Sequence, residues 1–172
     1  MKIILMFLNI TFLLLNTSMA QNKKPCSAPE ASQFDFWVGE WNASWKDTTQ
    51  SSGMASGTNN ISKILGGCVV YEQFDSTPAS PLIGKSVSVY NARTKKWHQT
   101  WVDNSGAYLD FSGQWEGDKM VLSRSVEVKG KTIMQRMVWY NITKEKFDWN
   151  WEGSKDGGET WQVNWQIMYK RK

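Results

Sequence analysis

Between Trp37 and Trp45 every second residue is Trp37, Gly39, Trp41, Ala43 and Trp45, while Val38, Glu40, Asn42 and Ser44 fill the alternate places. A strand sends successive side chains to opposite faces, so three indoles share one side and mostly polar groups the other. The pattern returns downstream. Phe147, Trp149 and Trp151 alternate with Asp148, Asn150 and Glu152, and Trp161, Val163, Trp165 and Ile167 share another face against Gln162 and Asn164. A chain patterned this way must fold as sheet, with its tryptophans turned to a common interior.

From Phe34 onward, ten short runs of this kind are separated by turn chemistry. They span 36–47, 53–62, 68–75, 84–91, 96–103, 107–115, 119–128, 131–141, 146–153 and 160–170. Asp103-Asn104-Ser105-Gly106, Gly117-Asp118, Lys129-Gly130 and Asp156-Gly157-Gly158 are turn signals, and short connections favour antiparallel neighbours in sequence order. No long helical period competes, although Asn60–Gly66 can form a single helical turn ending at glycine. Tyr90–Trp97 and Tyr140–Phe147 resemble each other in outline, which fits one hairpin loop used twice. The fold class expected is all-β: a single up-and-down antiparallel barrel of about ten strands, whose closure leaves no sheet edge.

Tight turns fix which residues face each other across a hairpin. With Lys129-Gly130 as the loop, Val126 faces Ile133, Arg124 faces Gln135, Leu122 faces Met137 and Met120 faces Trp139. That side is apolar apart from Arg124 and Gln135, whereas Glu127, Ser125, Ser123, Thr132 and Arg136 meet water. Carried through Gly117-Asp118, the register sets Trp115 beside Met120 and Phe111 beside Arg124, with Leu109 and Gly113 on the same inner side. A three-residue loop ending at Gly106 then turns Trp97, Gln99 and Trp101 inward and His98 outward. A two- or four-residue loop would turn His98, the only histidine, inward instead. On this register all 11 tryptophans face the interior.

The first twenty residues, MKIILMFLNITFLLLNTSMA, carry one lysine, an apolar run and small residues at Ser18 and Ala20. They read as a signal peptide (1–20) cleaved after Ala20, and so predict a secreted or periplasmic protein. No lipobox precedes Cys26, and the apolar run is too short to favour a membrane span. An N-terminal segment (21–33) then leads into one barrel domain (34–172). Of the 20 basic residues only Lys2 lies in the leader, so the mature chain keeps 19 against 16 acidic ones, a net charge of +3. The positive residues are scattered, which excludes a nucleic-acid footprint. Cys26 and Cys68, the two cysteines, read as a disulfide tying the N-terminal segment to the barrel wall in an oxidising compartment; two buried thiols are the alternative. No CxxC pair and no Cys/His cluster points to redox or metal chemistry, and no metal or cofactor is expected.

Several stretches resemble one family. FDFWVGEW (34–41), LGGCVVYEQF (65–74), GKSVSVYN (84–91), WHQTWVDNSG (97–106) and SKDGGETW (154–161) are similar to the motifs of a secreted bacterial family known as domain of unknown function 1579. More broadly, the first of them resembles the opening strand of calycin barrels of the lipocalin-like and nitrobindin-like kind. The resemblance implies a barrel of about ten strands with an internal pocket, and brings no established activity. Nitrobindin-like relatives bind haem through a histidine, whereas His98 points outward in the register above.

The candidate site is the lumen. Buried indoles fill a barrel or line it, and a closed barrel of eight or more strands has room for a small ligand. The expected lining is Trp97, Gln99, Trp101, Phe111, Arg124, Gln135, Trp139, Trp149 and Trp151, around a small apolar or aromatic molecule that can carry an acid group. Arg124 is the anchor for that acid, since a guanidinium taken from water needs a carboxylate from the ligand or from the protein; Glu72 is the internal alternative. Glu72 shares its face with Val70 and Phe74, so burial should raise its pKa. A second reading is accordingly a cofactor-free isomerase or hydrolase working through Glu72 and Arg124. A third is a filled barrel with a structural or interaction role. Ser154–Gly158 has one aspartate, too few for calcium, and reads as a hairpin turn. Asn42, Asn60 and Asn141 stand in Asn-x-Ser/Thr sequons, which matter only in a host that glycosylates.

Overall fold

The computed structural model describes residues 26–172. The proposed signal peptide and residues 21–25 lie outside the described residues. Ten strands follow in order: β1 (Gly39–Lys46), β2 (Met54–Ile64), β3 (Val69–Asp75), β4 (Ile83–Asn91), β5 (Lys96–Asp103), β6 (Tyr108–Glu116), β7 (Lys119–Val128), β8 (Lys131–Tyr140), β9 (Lys146–Ser154) and β10 (Gln162–Arg171). Each pairs antiparallel with its sequence neighbours, and β1 pairs with β10 to close the barrel.

The register follows the turns. Met120 lies opposite Trp139, Leu122 opposite Met137, Arg124 opposite Gln135 and Val126 opposite Ile133. Lys129 and Gly130 both take positive φ, 52° and 73°, the primed-turn geometry that matches the twist of the two strands. Trp115 faces Met120. Around Gly106, Trp97 pairs with Gly113, Gln99 with Phe111 and Trp101 with Leu109, so these side chains point inward and His98 stays exposed.

Three expectations need correction. First, residues 35–37 do not begin β1. Asp35–Trp37 forms a short 3-10 turn, and the strand starts at Gly39, whose φ of 137° suits only glycine. A Cβ there would also fall 2.2 Å from Nη1 of Arg171, which donates to the Val38 carbonyl and stacks over Trp41. Second, the helical turn expected over 60–66 is absent: β2 runs on to Ile64, and a 3-10 turn occupies Leu65–Gly67. Third, Trp161 does not face the interior. A bulge between Val163 and Trp165 shifts the β9–β10 register, so the two tryptophans leave on opposite faces. Trp161 packs outside under the Arg136 guanidinium, 3.9 Å away, and Arg136 pairs with Glu152 at 2.6 Å. Phe111 and Arg124 are neighbours as the register expects: the β6–β7 ladder covers Ser112–Glu116 against Lys119–Ser123, and just beyond it the Arg124 guanidinium lies over the Phe111 ring, 5.7 Å from its centre.

The segment ahead of β1 stops one end of the barrel. Phe34 is fully buried, with its ring edge-on to Trp97 (4.8 Å) and Trp139 (5.2 Å). Trp37 meets Trp139 at 5.3 Å, and Phe36 lies against Trp115 and Phe147. The Cys26–Cys68 disulfide ties this plug to the wall, as expected, with a Cα–Cα distance of 5.3 Å.

Candidate functional site

Above the plug the indoles do not fill the barrel. They enclose a cavity of about 180 Å³, walled by Phe74, Trp101, Phe111, Met137, Trp139, Trp149, Trp151, Trp165 and Ile167. Trp37 forms its floor. Leu82 and Leu109 border it at the far end, beside the 76–82 and 104–107 connections. In the walls the rings brace one another edge-to-face. Trp149 and Trp165 meet at 5.9 Å and 89°, Trp45 and Trp165 at 5.5 Å and 89°, and Phe111 and Trp151 at 5.6 Å and 81°. Trp101 lies flat on β4: a Cβ on Gly84 would sit 2.0 Å from its Cζ2, so only glycine lets this indole reach the wall. The Trp101 N–H donates to Asp103 at 2.9 Å.

Five of the residues expected to line the lumen do so: Trp101, Phe111, Trp139, Trp149 and Trp151. Four do not. Trp97 belongs to the plugged end, where its N–H donates to Gln33. Gln99 is 2% exposed but donates to Ser86 in the wall. Gln135 opens instead on a separate recess with Ile133, Gly153 and Asn164. Arg124 is half-buried over Phe111 and shares another recess with Ser112, Ser123 and Ser125. It forms no ion pair with Glu72, so the structure places neither a ligand-acid anchor nor an Arg124–Glu72 pair at the cavity. An unpaired guanidinium among indoles would cost several kcal/mol in desolvation; Arg124 avoids part of that cost by lying partly exposed over the Phe111 ring, although its Nη1 is buried without a partner.

The carboxyl group at the cavity is that of Glu72, beside the Tyr169 phenol. Its Oε1 accepts from Asn59 Nδ2 at 2.7 Å and its Oε2 from Ser86 Oγ at 2.6 Å. Gln99 Nε2 donates to the same Ser86 oxygen at 2.8 Å. Burial pushes the Glu72 carboxyl up to about 7, with the Ser86 and Asn59 hydrogen bonds pulling in the opposite direction. Burial also raises the Tyr169 phenol, helped by the neighbouring Glu72 charge. Tyr169 stacks on Phe147 at 4.5 Å, which holds the phenol against the wall.

Sequence reasoning placed these side chains on the correct face of the sheet. It missed Trp37, Trp165, Met137, Ile167 and Tyr169 as wall residues. The alternation carries a signal for Trp165, Ile167 and Tyr169, but no pattern in β10 marks the depth at which each meets the cavity.

A haem does not fit. His98 stands on the outer face with Nε2 3.5 Å from Thr94 Oγ1, and a cavity this small cannot take a four-pyrrole macrocycle. Among the described residues no cluster of three or more His, Cys, Asp or Glu side chains is placed to hold a metal.

No family model and no curated protein matches the chain in sequence. Among solved structures it is similar to the crystal structure of Rv2717c from M. tuberculosis, with a TM-score of 0.51 and 13% identity over 84% of this chain and 98% of that one. At that identity the likeness bears on the fold alone.

Proposed function

We propose that the protein is a secreted small-molecule carrier or receptor that holds one apolar or aromatic molecule in its lumen. The carrying observation is the cavity of about 180 Å³ left open inside a ring of mutually braced indoles. An apolar void of ~150 Å³ suffices to bind benzene, so one ring with a short substituent is the size that fits. Trp101, Phe111, Trp139, Trp149 and Trp151 are the residues proposed to touch it, with Trp37 beneath and Trp165 beside. A lumen packed solid would have favoured a purely structural barrel. The isomerase or hydrolase alternative needed Glu72 and Arg124 at one cavity, and Arg124 does not line it.

Export is supported by the apolar leader, and a disulfide at Cys26–Cys68 is compatible with it. Among the described residues no helix is long and apolar enough to cross a membrane. A place in the family known as domain of unknown function 1579 is likewise a proposal, supported by the resemblance of five motifs, FDFWVGEW, LGGCVVYEQF, GKSVSVYN, WHQTWVDNSG and SKDGGETW, and by no matching family model.

Titrating the chain with toluene while following tryptophan emission tests the proposal. A saturable change is expected, and Leu109→Trp, which adds bulk at the mouth, should weaken it about ten-fold, the scale of 1–3 kcal/mol that overpacking costs. A wild-type protein whose emission does not saturate would sink the binding reading.

A further inference from the structure

We propose that the natural occupant is a small organic cation, an aromatic or aliphatic amine whose ammonium group pairs with Glu72. The inference deepens the reading of the lumen as a binding cavity and depends on it. Its basis is the balance of charges and of donors and acceptors around Glu72.

Glu72 stands on β3 and is 7% exposed. The side chains that face it are neutral: Asn59 from β2, Ser86 from β4, and Tyr169, the only titratable one, from β10. Gln99 from β5 reaches it through Ser86. The carboxyl thus has hydrogen bonds but no counter-ion. Lysine, arginine and histidine are all missing from the cavity wall.

Each Glu72 carboxylate oxygen accepts one hydrogen bond from these partners. Asn59 Oδ1 and Gln99 Oε1 are both buried without a partner, in residues each 2% exposed. Neither residue lines the cavity, so what a ligand meets there is the Glu72 carboxyl itself, and a buried carboxylate without a counter-ion calls for a cation approaching from the void. The indole walls favour the same ligand, because an ammonium over the face of Trp101, Trp149 or Trp165 is attracted by the ring quadrupole. Two indole N–H groups, on Trp37 and Trp139, are also buried without partners at the floor. They are neutral donors and offer a second polar contact, while Glu72 carries the charge among the lining residues; the nearest cation, Arg124, lies behind the Phe111 ring, 5.7 Å from its centre and outside the lining.

The apo carboxyl, raised to about 7 by burial, is partly protonated at neutrality. An ammonium group would bind its ionised form and release the remaining proton. Amine affinity should therefore climb as pH rises through about 7, until the amine itself deprotonates.

The test compares four one-ring probes on the wild-type chain by calorimetry: benzylamine, benzyl alcohol, toluene and benzoate. Near pH 8, benzylamine should bind about ten-fold or more tighter than benzyl alcohol, and benzoate weakest. Near pH 5.5 the amine preference should fall by about ten-fold, and Glu72→Gln should remove it while toluene still binds. If toluene or benzyl alcohol binds as well as benzylamine near pH 8, or benzoate binds best, the cation inference is overturned and the binding cavity stands. If the preference survives at acid pH, Glu72 is not the partner and the inference fails, even should Glu72→Gln not fold. If none of the four binds, both readings fail together.

Discussion

Glu72 ties the stability of the fold to pH in a direction opposite to that of a salt-bridged carboxylate. Its ordinary value is 4.5 and burial raises it to about 7 in the folded chain. A raised carboxyl pKa means that the folded state holds the proton more tightly than the unfolded one. The stabilisation is fully present below the unfolded value and is lost as pH rises through the folded one. Over that window the difference is about 3 kcal/mol. In urea titrations the wild type should lose roughly that much relative to Glu72→Gln between about pH 4.5 and 8. A gap that stays constant with pH would show that the carboxyl is not the titrating group. The residue scale is also where the sequence was least legible. Alternation placed Arg124 and Glu72 on the inner side, but face is not neighbourhood. Which polar group meets the void depends on where β6 and β7 part and on the stacking of Arg124 over Phe111, and neither has a local signature.

At the scale of elements, the plug is the part that alternation misread. Phe34–Trp37 carries apolar residues at a spacing that fits strand, yet Gly39 breaks the strand and lets the segment fold inward as a 3-10 turn. The bulge in β10 is the counterpart at the other end: one extra residue turns Trp161 out to Arg136. Both departures involve backbone geometry that period-two reading cannot see. The disulfide, by contrast, was legible from two cysteines and a leader. It closes a separation of 42 residues, which chain entropy values at about 4 kcal/mol. Cys68→Ser should lower unfolding free energy by about 2–4 kcal/mol, and toluene binding should weaken alongside, because the floor residue Trp37 belongs to the tethered segment. Unchanged stability would mean that the plug holds by packing alone.

At the scale of the whole molecule, ten antiparallel strands and their register were readable because short turns leave few alternatives. Lys129-Gly130 alone fixed four facing pairs, and the Gly106 turn decided His98. The cavity was not readable, because how far opposite walls stand apart depends on barrel tilt and side-chain depth. Closure of β1 on β10 makes each strand depend on two neighbours, with the aromatic core touching most of them. Unfolding should thus be one cooperative event: far-ultraviolet dichroism and tryptophan emission are expected to give coincident denaturation curves, and separated midpoints would reveal a wall that melts alone.

The edge-to-face contacts that brace the lumen have an optical consequence. Trp37, Trp139, Trp149, Trp165 and Trp45 form an unbroken series with successive ring centroids 5.3, 6.4, 5.9 and 5.5 Å apart. Indoles at such separations exchange excitation by dipolar coupling, so light absorbed by one is shared by the rest. The barrel is an antenna: a single occupant that quenches one wall ring drains the emission of the whole series.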